Sequence, residues 1–354
     1  MGDHRALRQL GTTDVWLTSL GLGTAGLGGL FEPVDDADAQ AAIDAAWASG
    51  CRYFDTSPFY GHGQSEIRVG RGLYGHDRRE FSLSTKVGRL FRRPTDVDTF
   101  TPDGWVGGLR FELHFDYTYD GIMRSVEDSY LRLGIPTIDM LFIHDLDEQF
   151  HPDSAELERH RADLLTSGWS ALEELKADGI VKAIGAGLND RPTMGWFLDH
   201  VPIDVFLLAL RYTLLDNDVL DDELPRCETD GVGVVIGGAF NSGILASGPV
   251  PGAKYNYGDA PADVMDKVSR IAAVCKRHET PMVAAALQFP AAHPTVASVI
   301  PGALNADHVE ANVAAFNVPI PQQLWSDLKD EGLLRRDAPT PGPTTSAHST
   351  TNKD

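Results

Sequence analysis

The sequence predicts a (β/α)8 barrel, an α/β fold in which eight parallel strands alternate with helices. Three observations support the prediction. Short apolar segments alternate with helical segments in units of about 35 residues, close to the length of one strand and helix in such barrels. The apolar segments are apolar throughout, which is typical of parallel strands that are covered on both faces. Titratable residues follow three successive strands at the same end, where the active sites of these barrels lie.

One barrel domain is expected over residues 1–337. A chain of 354 residues with 42% hydrophobic content is long enough to bury the core that a large domain needs. Residues 338–354 are rich in Pro, Thr, Ser and Gly and contain few apolar side chains. These last residues are therefore expected to form a disordered tail.

The first elements are expected to be an N-terminal hairpin over residues 8–17 and a short strand with its exit loop over residues 20–29. A helix is predicted over residues 35–50, where Asp35 or Asp36 caps the start and Gly50 ends it. A strand ending at Asp55, a helix over residues 65–74 and a strand ending at Lys86 follow. Together these segments make up the first three strands of the barrel.

A long segment over residues 88–118 interrupts the alternation after strand 3. Its aromatic residues, which include Trp105 and Phe115, favour a lid packed over a pocket. Beyond it, strands are predicted over residues 138–144, 181–187, 205–210, 232–236 and 296–300. Helices are predicted over residues 119–133, within 154–178, and over 192–200, 219–229, 262–278, 282–291 and 306–316.

The charge and the cysteine content exclude several classes of partner. With 51 acidic against 30 basic residues, the net charge of −21 repels nucleic acid and anionic membranes. Cys51, Cys227 and Cys275 show no disulfide or metal spacing, so reduced thiols are expected. The sequence has no signal segment and no run of about 20 apolar residues. A cytoplasmic protein acting on a small molecule is expected, and a homo-oligomer is compatible with the sequence.

Four titratable residues are the candidate catalytic group. Asp55 closes strand 2, Tyr60 lies on the next loop, Lys86 ends strand 3 and His144 ends strand 4. Each residue alone fits an ordinary structural role, and their shared position is what indicates chemistry. An ammonium about 4 Å from a phenolate, at an effective dielectric of about 20, is worth roughly 4 kcal/mol. Lys86 is therefore expected to lower the pKa of Tyr60, Asp55 to hold Lys86, and His144 to bond the reacting oxygen.

Competing interpretations of the motifs have less support. The run from Gly21 to Gly26 matches the dinucleotide fingerprint Gly-x-Gly-x-x-Gly, but that fingerprint requires a helix to open at the glycines. Residues 27–34 intervene before the first helix, so glycines in a barrel strand are favoured. No metal site is expected, since spacings such as Glu156 to His160 fall on a helix predicted to be exposed. No Gly-x-Ser-x-Gly elbow indicates a hydrolase.

Four motifs in order resemble the aldo-keto reductase superfamily: Phe-Asp55-Thr-Ser-Pro-Phe-Tyr60-Gly, Ser-Thr-Lys86-Val-Gly, Ile-His144-Asp and Val-Ile-Pro-Gly302. The likeness runs from about residue 7 to residue 334. It implies NAD(P)-dependent redox chemistry in a TIM barrel without metal or flavin. It makes Tyr60 the acid/base, supported by Lys86 and Asp55, and it makes His144 the residue that orients the substrate.

Two further segments, residues 211–216 and 240–248, resemble the aldose 1-dehydrogenase branch, which includes D-threo-aldose (L-fucose), L-galactose and pyridoxal 4-dehydrogenases. The resemblance implies oxidation of a cyclic hemiacetal, such as that of L-fucose, L-galactose or D-arabinose, to the lactone. The alternative substrate is pyridoxal, giving 4-pyridoxolactone, since a lid with Trp105 also suits a flat ring. Two further hypotheses are a non-catalytic cofactor-sensing subunit and an NADPH-dependent carbonyl reductase.

The same resemblance implies a set of cofactor-binding residues. These are Gly23, Thr24, Asp55, Asn189, Phe240, Asn241, Ser242, Gly243, Leu245, Gly302, Ala303, His308 and Asn312. The sequence departs from the family pattern at several of the usual positions. The strand-5 Ser-Asn pair is Gly187-Leu188, the strand-6 Gln is Ala209 and the stacking Tyr is Gly237. Gly302 and His308 stand where many relatives have the Lys and Arg that hold a 2′-phosphate, so NAD is expected to be preferred, with NADP as the alternative.

Overall fold

The computed structural model describes residues 2–342. Its largest sheet has eight strands that are all parallel, in the order β14-β11-β10-β9-β8-β5-β4-β3. The strands are β1 (Leu7–Gln9), β2 (Trp16–Thr18), β3 (Leu22–Gly23), β4 (Tyr53–Asp55), β5 (Ser82–Val87), β6 (Arg89–Arg92), β7 (Glu112–Phe115), β8 (Met140–His144), β9 (Ala183–Leu188), β10 (Val205–Ala209), β11 (Gly233–Gly237), β12 (Lys254–Tyr255), β13 (Gly258–Asp259) and β14 (Val296–Ile300).

The first and last strands of this sheet meet and nearly close a barrel. Backbone bridges join Leu20 to Val299 and Gly23 to Gly302 in parallel. The amide of Gly21 donates to the carbonyl of Val299 at 3.0 Å, and the amide of Val299 donates to the carbonyl of Ser19 at 2.9 Å. The predicted (β/α)8 barrel is therefore confirmed.

The helices lie between the strands along the chain, except for the last two, which follow β14. They are α1 (Asp36–Ser49), α2 (Gln64–Leu73), α3 (Tyr119–Leu133), α4 (Ser154–Asp163), α5 (Trp169–Ala177), α6 (Arg191–His200), α7 (Glu223–Asp230), α8 (Ile244–Ser247), α9 (Ala262–Arg277), α10 (Met282–Ala291), α11 (Ala306–Phe316) and α12 (Gln322–Asp330). Helix α1 begins where the Asp35 side chain accepts from the Asp38 amide, and it ends at Gly50 with φ of 92°. Among residues 2–342, no helix is long and apolar enough to cross a bilayer.

The N-terminal hairpin β1–β2 plugs the barrel at the amino ends of its strands. Leu10, Val15 and Leu17 belong to the same buried cluster as inward side chains of the barrel strands, among them Met140 and Val235. The plug seals the end of the barrel opposite to the carboxyl ends of the strands. It therefore leaves the carboxyl end of the barrel as the place for a site.

The turn of this hairpin gives a testable prediction about stability. Gly11 has φ of +55°, and a Cβ there would lie 2.3 Å from the carbonyl oxygen of Gly231. The change Gly11→Ala is expected to lower the free energy of unfolding by roughly 2–4 kcal/mol, from backbone strain plus overpacking. Gly134→Ala is the control, because Gly134 has φ of +63° and open space around it. Equal shifts of the urea midpoint in both variants would contradict the packing argument.

The structure differs from the sequence expectations in the connecting segments. The predicted lid over residues 88–118 contains the antiparallel hairpin β6–β7, and a second small hairpin, β12–β13, and helix α12 were not predicted. The strands of the two hairpins are only two to four residues long, too short to show a period. Helix α12 does carry a helical pattern, with Leu324, Trp325 and Leu328 buried on one side, and was overlooked. Ala338, the first residue of the predicted tail, is buried, and its carbonyl accepts from Lys329 Nζ. Residues 343–354 of that tail lie outside the described residues, and the domain limit at residue 337 stays a prediction.

Candidate active site

The barrel brings the four candidate catalytic residues to one end. Asp55 is the last residue of β4, Lys86 is the penultimate residue of β5 and His144 is the last residue of β8. These three strands are neighbours in the sheet, with β4 pairing with β5 and β5 with β8. Tyr60 lies on the loop between β4 and α2. The alternation of apolar strands and loops was sufficient to predict this placement.

Asp55 and Lys86 form a buried ion pair at the floor of the site. Lys86 Nζ donates to Asp55 Oδ2 at 2.7 Å and to the carbonyl of Thr56 at 2.9 Å, and the Ser84 hydroxyl donates to Asp55 Oδ1 at 2.7 Å. The Lys86 and Asp55 side chains are 1% and 2% exposed, so water does not screen them. Burial raises the pKa of Asp55 and lowers the pKa of Lys86, and each partner's charge opposes that shift.

The Tyr60 ring packs over this pair. Lys86 Nζ lies 4.6 Å from the ring centroid, and the His144 ring centroid lies 6.0 Å away. Within residues 2–342, no hydrogen bond joins the Tyr60 hydroxyl to Lys86 or His144. Burial raises the pKa of Tyr60 well above its usual value, and the charges of Asp55 and Asp145 raise it further. The pKa of Tyr60 is therefore raised in the free protein, and the expected net lowering is wrong, because burial and the two carboxylates outweigh the cation of Lys86.

His144 is held by residues that the sequence did not single out. Its Nδ1 atom lies 2.8 Å from an Arg89 guanidinium nitrogen and 3.1 Å from the Ser57 hydroxyl. The same Arg89 nitrogen donates to Asp145 Oδ2 at 2.7 Å, and Asn189 Nδ2 donates to Asp145 Oδ1 at 3.2 Å. Arg89 and Asp145 therefore form a second buried ion pair beside the first. Arg89 and Asp145 each follow an apolar strand segment. A charged residue at such a position is usually expected to be exposed, so neither was predicted to be part of the site.

The loop after β8 carries another buried carboxyl group, Asp147. Burial first, and then the charge of Asp145, raises its pKa to about 7. Its Oδ1 atom accepts from the Phe150 amide at 3.1 Å, whereas Oδ2 has no partner among the described residues. The folded chain therefore binds a proton at Asp147 between about pH 4 and pH 7 that the unfolded chain releases.

This proton uptake gives a prediction for stability against pH. Because the folded pKa is raised, the stability that Asp147 contributes is highest at low pH and is lost as the pH rises towards 7. As the pH rises from 4.5 to 8, the free energy of unfolding of Asp147→Asn should increase relative to that of wild type by roughly 2–4 kcal/mol, measured by urea denaturation. Asp153→Asn, at an exposed cap, is the control. A stability difference between Asp147→Asn and wild type that does not change with pH would contradict the raised pKa of Asp147.

A cavity opens at the carboxyl end of the barrel, in two adjoining parts. The first part, of about 320 Å³, is lined by nine of the residues predicted to bind cofactor: Gly23, Thr24, Asp55, Phe240, Ser242, Gly243, Gly302, Ala303 and His308. Tyr60 lines this part and also the second part. A molecule in the first part would therefore meet a molecule in the second part at a boundary that Tyr60 shares with Ala209 and Tyr257.

The remaining predicted cofactor residues lie behind the lining of the first part or in the second part of the cavity. Asn241 Nδ2 donates to the Leu210 carbonyl, Asn312 Nδ2 donates to the Gly302 carbonyl at 3.3 Å, and Leu245 is fully buried in α8. These side chains hold the loops that form the wall. Asn189 lines the second part, where its amide is bonded to Asp145 and to the hydroxyl of a tyrosine.

The second part of the cavity, of about 410 Å³, has several aromatic rings in its lining. The aromatic residues that line it are Phe31, Phe59, Tyr60, Trp105, Phe150 and Tyr257. Trp105 comes from the segment predicted as a lid, and its ring centroid lies 5.6 Å from that of Tyr60. The predicted substrate residues Tyr60, His144 and Trp105 therefore share this part. Phe115, also expected in the lid, instead packs beside Arg89 and His151.

Tyr257 is a wall residue that sequence reasoning missed. It lies in the turn of the β12–β13 hairpin with φ of 63°, and its hydroxyl donates to Asn189 Oδ1 at 3.1 Å. It lines both parts of the cavity, as does Ala209, and Gly237 lines the first part. The Tyr257 ring therefore lies near the ends of β10 and β11, where Ala209 and Gly237 have small side chains or none. The Asn-Tyr-Gly turn at residues 256–258 was the signal for this hairpin.

A cluster of metal-ligand residue types lies outside the cavity. Ligand atoms of His151, Glu156 and His160 are within 4.8 Å of one another. His160 is buried, so the expectation of an exposed position is wrong for this residue. The Arg159 guanidinium donates to Glu156 at 3.3 Å and lies 3.4 Å from His160 Nε2. Glu156 is thus paired with the Arg159 guanidinium. His151, Glu156 and His160 do not line either part of the cavity.

The model of the Aldo/keto reductase family matches residues 19–331. The chain belongs to the aldo/keto reductase family. This membership makes it an oxidoreductase that acts on CH–OH groups with a nicotinamide cofactor. It agrees with the resemblance carried by the motifs around Asp55, Lys86 and His144.

Two named relatives align with nearly the whole of this chain. Pyridoxal 4-dehydrogenase of Microbacterium luteolum is 41% identical over 92% of this chain and 97% of its own length. D-threo-aldose 1-dehydrogenase of a Pseudomonas species is 39% identical over 92% of this chain and 96% of its own. The holo form of an aldo-keto reductase from Bacillus halodurans superposes with a TM-score of 0.72 at 26% identity, covering 94% of this chain and 97% of that one.

The first part of the cavity fits the nicotinamide cofactor that the family uses. Gly243 and Gly302 line it, and a Cβ at either position would meet no atom within 4 Å. Backbone can therefore approach a ligand closely at both positions. Residues 302–304 lead into the N-terminus of α11, where free amides suit a phosphate group.

Proposed function

We propose that this chain oxidises a cyclic hemiacetal to the corresponding lactone, with NAD as cofactor and Tyr60 as the acid/base. The observation that carries the proposal is the position of Tyr60. Its ring stacks over the buried Asp55–Lys86 pair, and it lines both the cofactor part and the substrate part of the cavity. A proton-transfer group belongs at that junction, because it must reach the oxygen on the carbon that loses hydride.

Each residue then has a role in proton handling. The bound nicotinamide supplies the hydride acceptor. The phenolic oxygen of Tyr60, once ionised, would take the proton of the hemiacetal hydroxyl. Lys86, held in place by Asp55, places a positive charge against the ring and opposes the cost of ionising it. His144, which lines the substrate part, would donate a hydrogen bond to the same oxygen.

Pyridoxal is the substrate that the walls of the second part favour. Rings of Phe59, Trp105, Phe150 and Tyr257 line that part, and aromatic rings stack on flat heterocycles. The similarity to pyridoxal 4-dehydrogenase, at 41% identity, supports the same choice. An aldose is the second candidate, supported by the 39% identity to D-threo-aldose 1-dehydrogenase and by Gln149 and Asp103 in the lining, which could bond hydroxyls.

The lining of the cofactor part favours NAD. Among the described residues that line it none is Lys or Arg, and Glu32 is acidic. A 2′-phosphate would therefore meet no strong cationic partner there and would be repelled by Glu32. We expect kcat/KM to be about tenfold or more higher with NAD than with NADP.

The variant His308→Arg tests this cofactor preference. It should lower the ratio of kcat/KM with NAD to kcat/KM with NADP by about tenfold, because a guanidinium can pair with the 2′-phosphate. His200→Arg on the exposed face of α6 is the control and should leave the ratio unchanged. A wild-type preference for NADP, or an unchanged ratio in His308→Arg, would contradict this assignment.

NADH production measured with pyridoxal and a panel of free sugars tests the function. We expect NADH and lactone to form with pyridoxal at a higher kcat/KM than with L-fucose, L-galactose or D-arabinose. The reverse order would establish the aldose candidate. An absence of NADH with every compound would favour a non-catalytic cofactor-sensing subunit, and turnover only as NADPH-dependent carbonyl reduction would indicate a reductase.

A further inference from the structure

The guanidinium of Arg89 lies behind His144, away from the cavity. Arg89 is 3% exposed and does not line either part of the cavity. Its guanidinium carbon lies 4.0 Å from the ring centroid of Phe59, and the centroids of Phe150 and Phe115 lie at 4.7 and 4.8 Å. Three aromatic rings therefore hold this cation in place.

The contact between Arg89 and His144 determines where the imidazole carries its proton. An arginine donates hydrogen bonds and cannot accept them. His144 Nδ1, which lies 2.8 Å from the guanidinium nitrogen, must therefore accept. Ser57 Oγ lies 3.1 Å from Nδ1, and its hydroxyl can act as a second donor to this atom. The imidazole is thus neutral, and its hydrogen is on Nε2.

Without Arg89 the carboxylate of Asp145 would act on His144 unpaired and would favour the charged imidazolium. Asp145 Oδ2 lies only 3.3 Å from His144 Nε2, and a buried carboxylate beside a histidine stabilises the protonated ring. Arg89 cancels that charge by pairing with Oδ2 at 2.7 Å. Lys86 and Tyr60 are the further charged or titratable groups around His144. Burial, Arg89 and Lys86 all lower the pKa of His144 well below its usual value.

We propose that Arg89 is the positioning residue that keeps His144 neutral, with its proton on Nε2 ready for the substrate oxygen. The proposal rests on the proposed function, in which His144 bonds the reacting oxygen. A neutral donor avoids placing a further positive charge beside Lys86 and the cationic nicotinamide. A substrate oxygen would take the Nε2 hydrogen in place of the present contact with Asp145.

Long-range 1H–15N spectra of protein with labelled histidine test the proposal without any turnover. From pH 5 to pH 9, His144 of wild type should show one neutral form with hydrogen on Nε2. The His144 signal is identified as the one that is missing from the spectrum of His144→Asn. In Arg89→Met the signal should begin to titrate within this range. Arg92→Met is the matched control, because Arg92 lies in the same hairpin in an exposed pair with Glu112. An unchanged His144 signal in Arg89→Met would overturn the proposal.

A double variant decides the case if Arg89→Met does not fold. Arg89→Met with Asp145→Asn removes both charges, so no unpaired buried charge remains. Its His144 should then exist as a mixture of the two neutral tautomers, and a single Nε2–H form as in wild type would overturn the proposal. Arg89→Lys, which retains a donor, should restore the wild-type signal at least in part, and no recovery would count against the proposal.

The kinetic readout separates this proposal from the proposed function. In Arg89→Met we expect kcat to fall about tenfold or more with little change in KM, and to acquire a new ionisation between pH 5 and pH 9. If wild type produces no NADH, the proposed function fails, while the spectra still decide the role of Arg89. If wild type is active and Arg89→Met keeps its pH profile and its kcat, the positioning role is wrong.

Discussion

The change Tyr60→Phe is expected to lower kcat/KM for hemiacetal oxidation by about 10²–10⁴-fold, the usual contribution of a positioned acid/base. The loss should appear without a large loss of stability. The Tyr60 hydroxyl has no hydrogen bond to Lys86 or His144 within residues 2–342, and the ring itself is retained. A shift in the free energy of unfolding below about 1 kcal/mol is therefore expected.

The pH dependence of the same variant provides its control. Burial raises the pKa of Tyr60, so the ionised phenol is scarce at neutral pH in the free protein. The wild-type rate of oxidation should therefore increase with pH across the neutral and alkaline range. Tyr60→Phe should lose this increase. A variant that kept most of the wild-type rate, or the same pH dependence, would show that another group moves the proton.

The change Lys86→Met is expected to have the second largest effect, on both stability and rate. It leaves Asp55 buried without its partner at 2.7 Å, and a broken buried pair costs about 3–5 kcal/mol. It also removes the charge that lies 4.6 Å from the Tyr60 ring, so we expect a loss in kcat of about 10²-fold or more. Urea denaturation and steady-state kinetics measure the two effects separately.

A double variant separates the structural role of this pair from its chemical role. Asp55→Asn with Lys86→Met removes both charges and should recover part of the stability but none of the rate. Lys176→Met is a control for loss of an ion pair, because the Lys176–Asp204 pair is partly exposed and should contribute about 1 kcal/mol or less. Recovery of activity in the double variant would mean that the positive charge of Lys86 is not needed.

The sequence predicted well those parts of the fold that local chemistry determines. Helix α1 has its cap at Asp35 and its end at Gly50, and α3 spans residues 119–133 as predicted, with Gly134 as its C-cap. The strand ends carrying Asp55 and His144 were predictable because buried parallel strands are apolar until they reach the site. The strands of hairpins β6–β7 and β12–β13 were not predictable from periodicity, since they are short, and only the turn at residues 256–258 indicated the second hairpin.

The candidate site was predictable only in part, for a related physical reason. Residues on neighbouring strand ends meet because the barrel geometry requires it, and this placed Asp55, Lys86 and His144 together. Arg89 reaches His144 from a hairpin, and Tyr257 reaches the cavity from another hairpin, so their positions depend on loop conformation. The pKa of Tyr60 was predicted with the wrong sign, because the cost of burial cannot be deduced from residue spacing.

The most direct test of the central claim is the fate of deuterium placed on the carbon that is oxidised. Wild-type protein with NAD and pyridoxal deuterated at that carbon should give the lactone and NADH carrying one deuterium, detected by mass spectrometry. The same experiment with an aldose deuterated at C1 tests the second candidate. Lactone formed with NADH free of deuterium, or no deuterated NADH with either compound, would contradict direct hydride transfer from that carbon to the nicotinamide.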